Sequence, residues 1–294
     1  MRFTLRQLQV FLATAKRENL SHAAQQLAMS QSAASGAIKE LERQFDVQLF
    51  DRRGKRLQLS ELGHRLRPAA EDLLARADEL QALLEGDQVS GRLKVGASLT
   101  IGNYLAVPIL ADYRQAYPAV DASLEVANTR DIAEAVADFQ LDVGLIEGEW
   151  WHPDLEVTSW REDELQVFCE PEHPLARKRS VGDRELIEAQ WIVREPGSGT
   201  RQVFDRAMHD ILPQLQISLE LQHTEAIKRA VEAGMGLGCL SRISLEDAFK
   251  RGSLVPLRVR GRDFTRQMSI VTHRRKYHGR AFQQWLALCQ EYRS

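Results

Sequence analysis

Ser30 to Arg43 reads SQSAASGAIKELER, and its two faces are chemically unlike. At helical spacing Ala34, Ile38 and Leu41, with Phe45 one turn further on, form an apolar stripe. The opposite side carries Ser32, Ser35, Gly36, Lys39 and Arg43, and Ser30 precedes the helix as an N-cap. Such a helix either reads DNA or presents a plain solvated side. Gly36 sharpens the choice, because glycine inside a helix costs about 1 kcal/mol against alanine.

The flanking sequence favours the first alternative. LRQLQVFLATAKR places Leu5, Leu8, Phe11, Leu12 and Ala15 on one side, and SHAAQQLAM, with Ser21 as the expected N-cap, follows it closely. Two short helices joined by so tight a turn make a helix-turn-helix pattern. VQLFDRRGKRLQLS then reads as two short strands around a basic, glycine-containing turn, which adds a wing. Residues 1–60 hold ten Lys/Arg and five Asp/Glu, a net +5, whereas the whole chain is −2, so the remaining residues net −7. A basic head on an acidic body suits a polyanion at the N-terminal end alone.

The 294 residues are 44% hydrophobic and 27% charged, an ordinary globular composition with length for about two domains. The N-terminal residues lack the apolar core of a secretory signal, and no segment has about 18 consecutive apolar residues. Cys169, Cys239 and Cys289 lie far apart, without metal-ligand spacing. The expectation is a cytoplasmic protein with no membrane partner, no metal and no cofactor.

From Ser60 to Leu84 a long helix is expected, with Leu66, Ala70, Leu73, Ala77, Leu80 and Leu84 stepping by four and three. A seam of that kind calls for a second helix, so Leu66, Leu73, Leu80 and Leu84 are the candidate dimerisation residues. Pro68 should kink the helix locally, and GDQVSG, residues 86–91, reads as a hinge. Beyond it strands and helices alternate: RLKVGAS, IGNYLAVPILADYRQAY, ASLEVAN, TRDIAEAVADFQ and LDVGLIEG, then a second set from LQVFCE to GLGCLS. Alternation implies parallel sheets covered by helices on both faces. QMSIVTHR and the last helix should return to complete the first sheet. The fold class is therefore α/β behind a mostly helical, winged N-terminal domain. The expected boundaries are residues 1–59, 60–90 and 91–294, with lobe I at 91–161 plus 266–294 and lobe II at 162–265.

From FTLRQLQVFLATAKRENLSHAAQQLAMSQSAASGAIKELERQFDVQLFDRRGKRLQLSELG onward, the chain resembles the LysR-type transcriptional regulators over its whole length. The resemblance implies a winged helix-turn-helix that binds DNA with dyad symmetry, a dimerisation helix, and a two-lobed, periplasmic-binding-protein-like domain for a small effector. It also implies assembly into homotetramers and RNA polymerase as a further partner. Gln31, Ser32, Ser35, Gly36, Lys39 and Arg43 would face the major groove, and Arg52, Arg53, Lys55 and Arg56 the phosphates or minor groove. The family commonly has an arginine where this chain has Gly36. SLTIGNYLAVPIL, LDVGLIEGEW, EDELQVFCEPEHPLA, REPGSGTR and TEAIKRAVEAGMGLGCLSR further resemble the branch of the YeiE and CysL regulators of sulfur metabolism, which makes sulfite or a related oxyanion the candidate effector.

Ser98, Thr100, Thr129, Ser198, Thr200 and Thr224 sit where strands feed helix N-termini, positions that suit anions or simply cap helices. The candidate effector residues are Ser98, Thr100, Thr129, Glu147, Ser198, Thr200, Arg201 and His223. Glu147 would repel a dianion but accept a protonated oxyanion such as bisulfite, or an amine. Trp150 and Trp151 either cover the cleft or pack. A different small organic metabolite is the alternative effector, and a solute receptor the alternative function. An enzyme is disfavoured: GMGLG ends a helix rather than opening one, PGSGT lacks the P-loop lysine, and no cysteine has an evident base.

Overall fold

A computed structural model describes residues 2–53, 56–84 and 89–292. It divides into two compact units, Met1–Gly91 with Arg275–Ala281, and Arg92–Arg274 with Phe282–Ser294.

In the first unit α1 (Leu5–Arg17) starts at a Thr4–Gln7 capping box. Helix α2 (Leu20–Gln26) is capped by Asn19, whose side chain accepts from the Ser21 and His22 amides, not by Ser21. The turn is one residue pair earlier than the composition suggests, because an amide side chain caps as well as a hydroxyl. Helix α3 (Gln31–Phe45) is capped by Ser30 as expected, its hydroxyl accepting from Ala33 N at 3.1 Å. Ala34, Ile38 and Leu41 join Leu8, Phe11, Ala24, Leu49 and Phe50 in one core. Phe45 does not: it is 45% exposed, beside Phe3, with the Arg2 guanidinium over its ring. The helix ends there in a left-handed Asp46, so the stripe runs out one turn early. Strands β1 (Phe50–Arg53) and β2 (Arg56–Leu59) form the antiparallel wing.

Helix α4 spans Glu61–Leu84 as one element, with Pro68 inside it. Its apolar stripe splits in use. Leu66 and Ala70 pack on the helix-turn-helix core. Leu73, Leu80 and Leu84 are open, the last two 61% and 82% exposed. Leu66 is thus part of its own unit's core, since the start of α4 lies against α1 and β2. Residues 86–88 of the expected hinge lie outside the described residues, and Gly91 already begins the next strand.

The second unit holds a mixed sheet in the order β4-β3-β5-β11-β6-β9-β7-β8, with β10 paired to β6. In chain order its elements are β3 (Gly91–Ser98), α5 (Leu99–Ile101), a π-turn (Gly102–Ala106), α6 (Val107–Ala116), β4 (Val120–Ala127), α7 (Thr129–Ala137) and β5 (Val143–Glu147). There follow β6 (Leu155–Cys169), α8 (Asp183–Glu188), β7 (Gln190–Arg194), α9 (Gly199–Ala207), β8 (Gln216–Leu221), α10 (Thr224–Glu232) and β9 (Leu237–Ser241). The last are α11 (Arg242–Arg251), β10 (Val255–Leu257), β11 (Thr265–His273) and α12 (Arg280–Glu291). Strands β3 and β5 are parallel, as are β7 with β8 and with β9. The parallel expectation fails at the centre, where β11 runs antiparallel to both β5 and β6. Strand β6 is long enough to pair with β11 through Glu164 and then with β9 from Leu165, so it belongs to both lobes. A return strand entering between two parallel sets has to reverse direction. Trp150 packs with the first lobe's core around Ile132 and Val136, whereas Trp151 is 82% exposed.

Candidate functional site

In the N-terminal unit the described groove-side candidates on α3 are exposed or half-buried. Gln31, Ser32, Gly36, Lys39 and Arg43 are exposed, and Ser35 is intermediate. The Ser32 hydroxyl lies 3.0 Å from that of Ser30. A Cβ built on Gly36 meets nothing within 4 Å, so no neighbour in the protein demands glycine there. Arg43 is already engaged: its Nε and Nη2 donate to the two Glu40 carboxylate oxygens at 2.8 and 2.7 Å. That fork holds the Glu40 carboxyl down at about 2, with Gln44 assisting. Lys39 shows no ion pair among the described residues, which makes it the free cation of this face. On the wing Arg52 pairs in register with Leu57, and Arg53 with Arg56. Lys55 lies outside the described residues.

The C-terminal unit gathers most of the other candidates around one residue that sequence reasoning missed, Arg266. Ser98 ends β3, Thr100 begins the helix after it, Thr129 begins α7, and Glu147 ends β5. Ser198 and Thr200 flank the start of α9. All six are buried. A Cβ on Gly199 would lie 1.9 Å from the Glu147 carbonyl oxygen, so only glycine lets α9 of the second lobe approach the end of β5 in the first. Gln202 then exchanges two hydrogen bonds with the Glu149 backbone, accepting from its N at 2.9 Å and donating to its O at 3.1 Å.

Arg266 lies on β11 with its side chain fully buried. Its Nε donates to Asp163 Oδ2 at 2.6 Å, and its Nη1 donates to Thr200 Oγ1 at 3.0 Å. Its Nη2 is 3.0 Å from Glu147 Oε2 and 3.5 Å from Thr100 Oγ1. The Glu147 contact has ion-pair distance but not hydrogen-bond alignment, so Oε2 still lacks a donor. Thr100 Oγ1 donates to Glu147 Oε1 at 3.2 Å, Thr129 Oγ1 donates to the Glu147 carbonyl at 3.1 Å, and Ser241 Oγ donates to Asp163 Oδ1 at 2.8 Å. The hydroxyls of Ser98 and Ser198 are buried without partners. Buried polar groups are ordinarily paired, and leaving one unpaired costs about 1–3 kcal/mol.

Two expected members stand apart. Arg201 donates to Asp205, Glu220 and the Arg194 carbonyl, all at 2.8–2.9 Å, so its charge is spent on its own lobe. His223 is exposed ahead of α10, where its side chain makes no capping bond. Arg266 was detectable in principle: TRQMSIVTH places it on the same strand face as Met268 and Ile270, and a lone arginine on an apolar face requires a buried partner.

Residues 5–64 match the family model described as bacterial regulatory helix-turn-helix protein, lysR family, and residues 86–294 match the LysR substrate binding domain. The chain is 42% identical over 289 residues to the uncharacterized HTH-type transcriptional regulator YeiE of Escherichia coli, covering 98% of each chain. It is 30% identical over 266 residues to the HTH-type transcriptional regulator CysL of Bacillus subtilis, covering 90% of this chain and 89% of that one. Among solved structures, a full-length OxyR variant from Pseudomonas aeruginosa superposes with a TM-score of 0.75 at 20% identity, covering 99% of this chain and 94% of that one. The Synechocystis CcmR regulatory domain in complex with 2-PG gives a TM-score of 0.64 at 27% identity, covering 70% of this chain and 98% of that one.

Proposed function

This chain belongs to the LysR family of transcriptional regulators, and on that premise we propose that the Arg266 floor of its C-terminal unit binds a small oxyanion, sulfite being the candidate, whose occupancy adjusts DNA binding by α3 and the wing. The single observation that carries the ligand class is the set of unsatisfied atoms around Arg266. The Ser98 and Ser198 hydroxyls are donors in need of acceptors, and Glu147 Oε2 is an acceptor in need of a donor. A ligand that fits all three offers acceptor oxygens and keeps at least one proton. Bisulfite does so near neutral pH, whereas sulfate is a dianion and meets the Glu147 carboxylate unaided. A different small organic metabolite is the second reading, and the CcmR regulatory domain, of similar fold, is solved in complex with 2-PG.

On the DNA side, Lys39 and the serines of α3 supply the groove-facing donors. The basic wing sequence, with Arg53 and Arg56 in register across its two strands, supports a phosphate contact. Dimers joined through the open leucines of α4, and tetramers built from them, present two or more such heads to DNA of dyad symmetry.

Titration calorimetry of the full chain with sulfite, sulfate, thiosulfate and O-acetylserine tests the ligand. Sulfite binding that weakens by at least about tenfold in Arg266→Lys, which keeps the charge but loses the fork, supports the assignment. No heat with any oxyanion rejects it, and heat with O-acetylserine alone moves the site to the organic reading.

A further inference from the structure

Residues Arg275–Ala281 connect β11 to the body of α12, yet they group with the N-terminal unit rather than with their neighbours in the chain. The cause is a set of directional polar contacts with α4. Tyr277 N donates to Asp72 Oδ1 at 2.7 Å, Tyr277 Oη donates to Glu79 Oε2 at 2.7 Å, and Arg280 N donates to Glu79 Oε1 at 2.6 Å. The Arg76 guanidinium lies 4.2 Å from the centre of the Tyr277 ring. A Cβ on Gly279 would stand 2.5 Å from Glu79 Oε1, so the segment lies directly on that carboxylate. Asp72, Arg76 and Glu79 are spaced by four and three and form one face of α4. That face is one residue round from Leu73 and Leu80, so the segment holds the helix beside its open leucines without covering them.

The other end of the segment is β11. This strand is paired on both edges, to β5 and β6, and carries Arg266. We propose that Arg275–Ala281 is a transmission strap, through which a change in the pairing of Arg266 on β11 with Glu147 at the end of β5 alters how α4 is held. The proposal rests on the reading of the Arg266 floor as the effector site.

The physical basis is the kind of contact. Hydrogen bonds weaken steeply with misalignment, so a small slide of β11 is registered by Tyr277 and Gly279 where a greasy contact would accommodate it. Each bond can also be exchanged for one to water, at a net cost of about 1.5–3 kcal/mol where the acceptor is a carboxylate, so release of the strap is a discrete arrangement of higher free energy that a change on β11 can bring within reach. Coupling between distant sites requires such a two-state element, biased by both. Glu79 takes two of the three hydrogen bonds and is the pivot. Tyr277 and Glu79 touch nothing in the ligand cluster, so they are positioning residues.

The test needs no ligand. Glu147→Gln removes one charge from the Arg266 cluster while keeping its shape. Hydrogen exchange of residues 72–80 of α4 is measured by mass spectrometry on the full chain, alone and combined with Tyr277→Phe or Glu79→Ala. The expected result is at least a threefold change in exchange on Glu147→Gln, and loss of that change when either strap residue is altered. The two strap variants guard against one that simply misfolds, and thermal melting identifies such a case. An α4 that does not respond to Glu147→Gln overturns the strap, and so does a response that persists in both strap variants. Calorimetry with sulfite on Tyr277→Phe reads the ligand site separately: because coupling is reciprocal, binding within about threefold of the unaltered chain is expected, and a constant weaker by about tenfold or more overturns the division of roles. Failure of the oxyanion assignment leaves the exchange result standing, so the two are distinguishable.

Discussion

Gly36 is the residue whose purpose is least visible from inside the protein. It is exposed, in a helix, with open space where a Cβ would be. Helix propensity alone makes Gly36→Ala stabilising by about 1 kcal/mol. If the backbone there approaches DNA, the same change should weaken binding to the preferred site while raising the melting temperature. A fluorescence-anisotropy titration beside a thermal melt reads both; tighter or equal binding would mean that the position faces solvent. Gly36→Arg restores the residue common in the family and should raise affinity on all sequences and change site preference. Glu147 admits an equally direct experiment. Two like charges about 4 Å apart cost about 4 kcal/mol at an effective dielectric of ~20. Glu147→Gln should therefore gain sulfate binding by tenfold or more relative to sulfite, measured by calorimetry, and an unchanged ratio would remove Glu147 from selectivity. The cysteines give a third case. Burial pushes the thiol of Cys169 up to about 11 and that of Cys289 to about 12, and Cys239 is raised as well. Only the thiolate is a good nucleophile. Native protein should resist alkylation at neutral pH, and its DNA binding should not respond to peroxide, although its fold is similar to that of OxyR. Rapid modification of any thiol without unfolding would contradict this.

At the scale of elements the wing makes a clean prediction. Arg53 closes the hairpin opposite Arg56. Arg53→Ala should lower affinity for every DNA sequence and reduce the slope of log K against log salt by about one unit, as loss of one phosphate contact requires. An unchanged slope would take Arg53 out of the contact set. The wing, α3 and its Ser30 cap were legible in the sequence because their causes are local: alternation, a turn, one hydroxyl. The Asn19 cap was missed by two residues and the end of the stripe at Phe45 by one turn, the usual reach of terminal effects. Ser98, Thr100, Thr129, Glu147, Ser198 and Thr200 were legible as ends of strands and starts of helices. Arg266 was not, because its meaning comes from Asp163, 103 residues away, and only the antiparallel register of β6 and β11 brings the two together. Of the two roles open to Arg201, ligand donor or partner of a surface carboxylate, the structure shows the second. An arginine in REPGSGTR looks available, but Asp205 and Glu220 lie within reach and claim it.

For the molecule as a whole, the charge division and the split stripe of α4 belong to one design. The N-terminal sixty residues are net +5, a charge that supplies sequence-independent attraction to phosphate, so on the proposed reading a single head would bind DNA weakly. Two heads joined by a helix convert the second contact into an intramolecular one, which raises affinity by about 10²–10⁴ without any new contact. On the proposed reading the open half of the stripe, Leu73, Leu80 and Leu84, would make that joint, while Leu66 and Ala70 pack on the core of their own head. In the proposed dimer, attachment at one end and pairing at the other would set the spacing of the heads, and hence the spacing of half-sites on DNA. Leu80→Asp puts a charge into the proposed seam without touching either the head or the Arg266 floor. Sedimentation should show smaller assemblies, and affinity for a two-half-site DNA should fall by about a hundredfold or more, while affinity for a single half-site stays within about twofold. A parallel fall on both DNAs would mean that the head itself was damaged. An assembly unchanged in size would place the self-association surface elsewhere than on α4, and the strap would then be holding a helix with no partner to align.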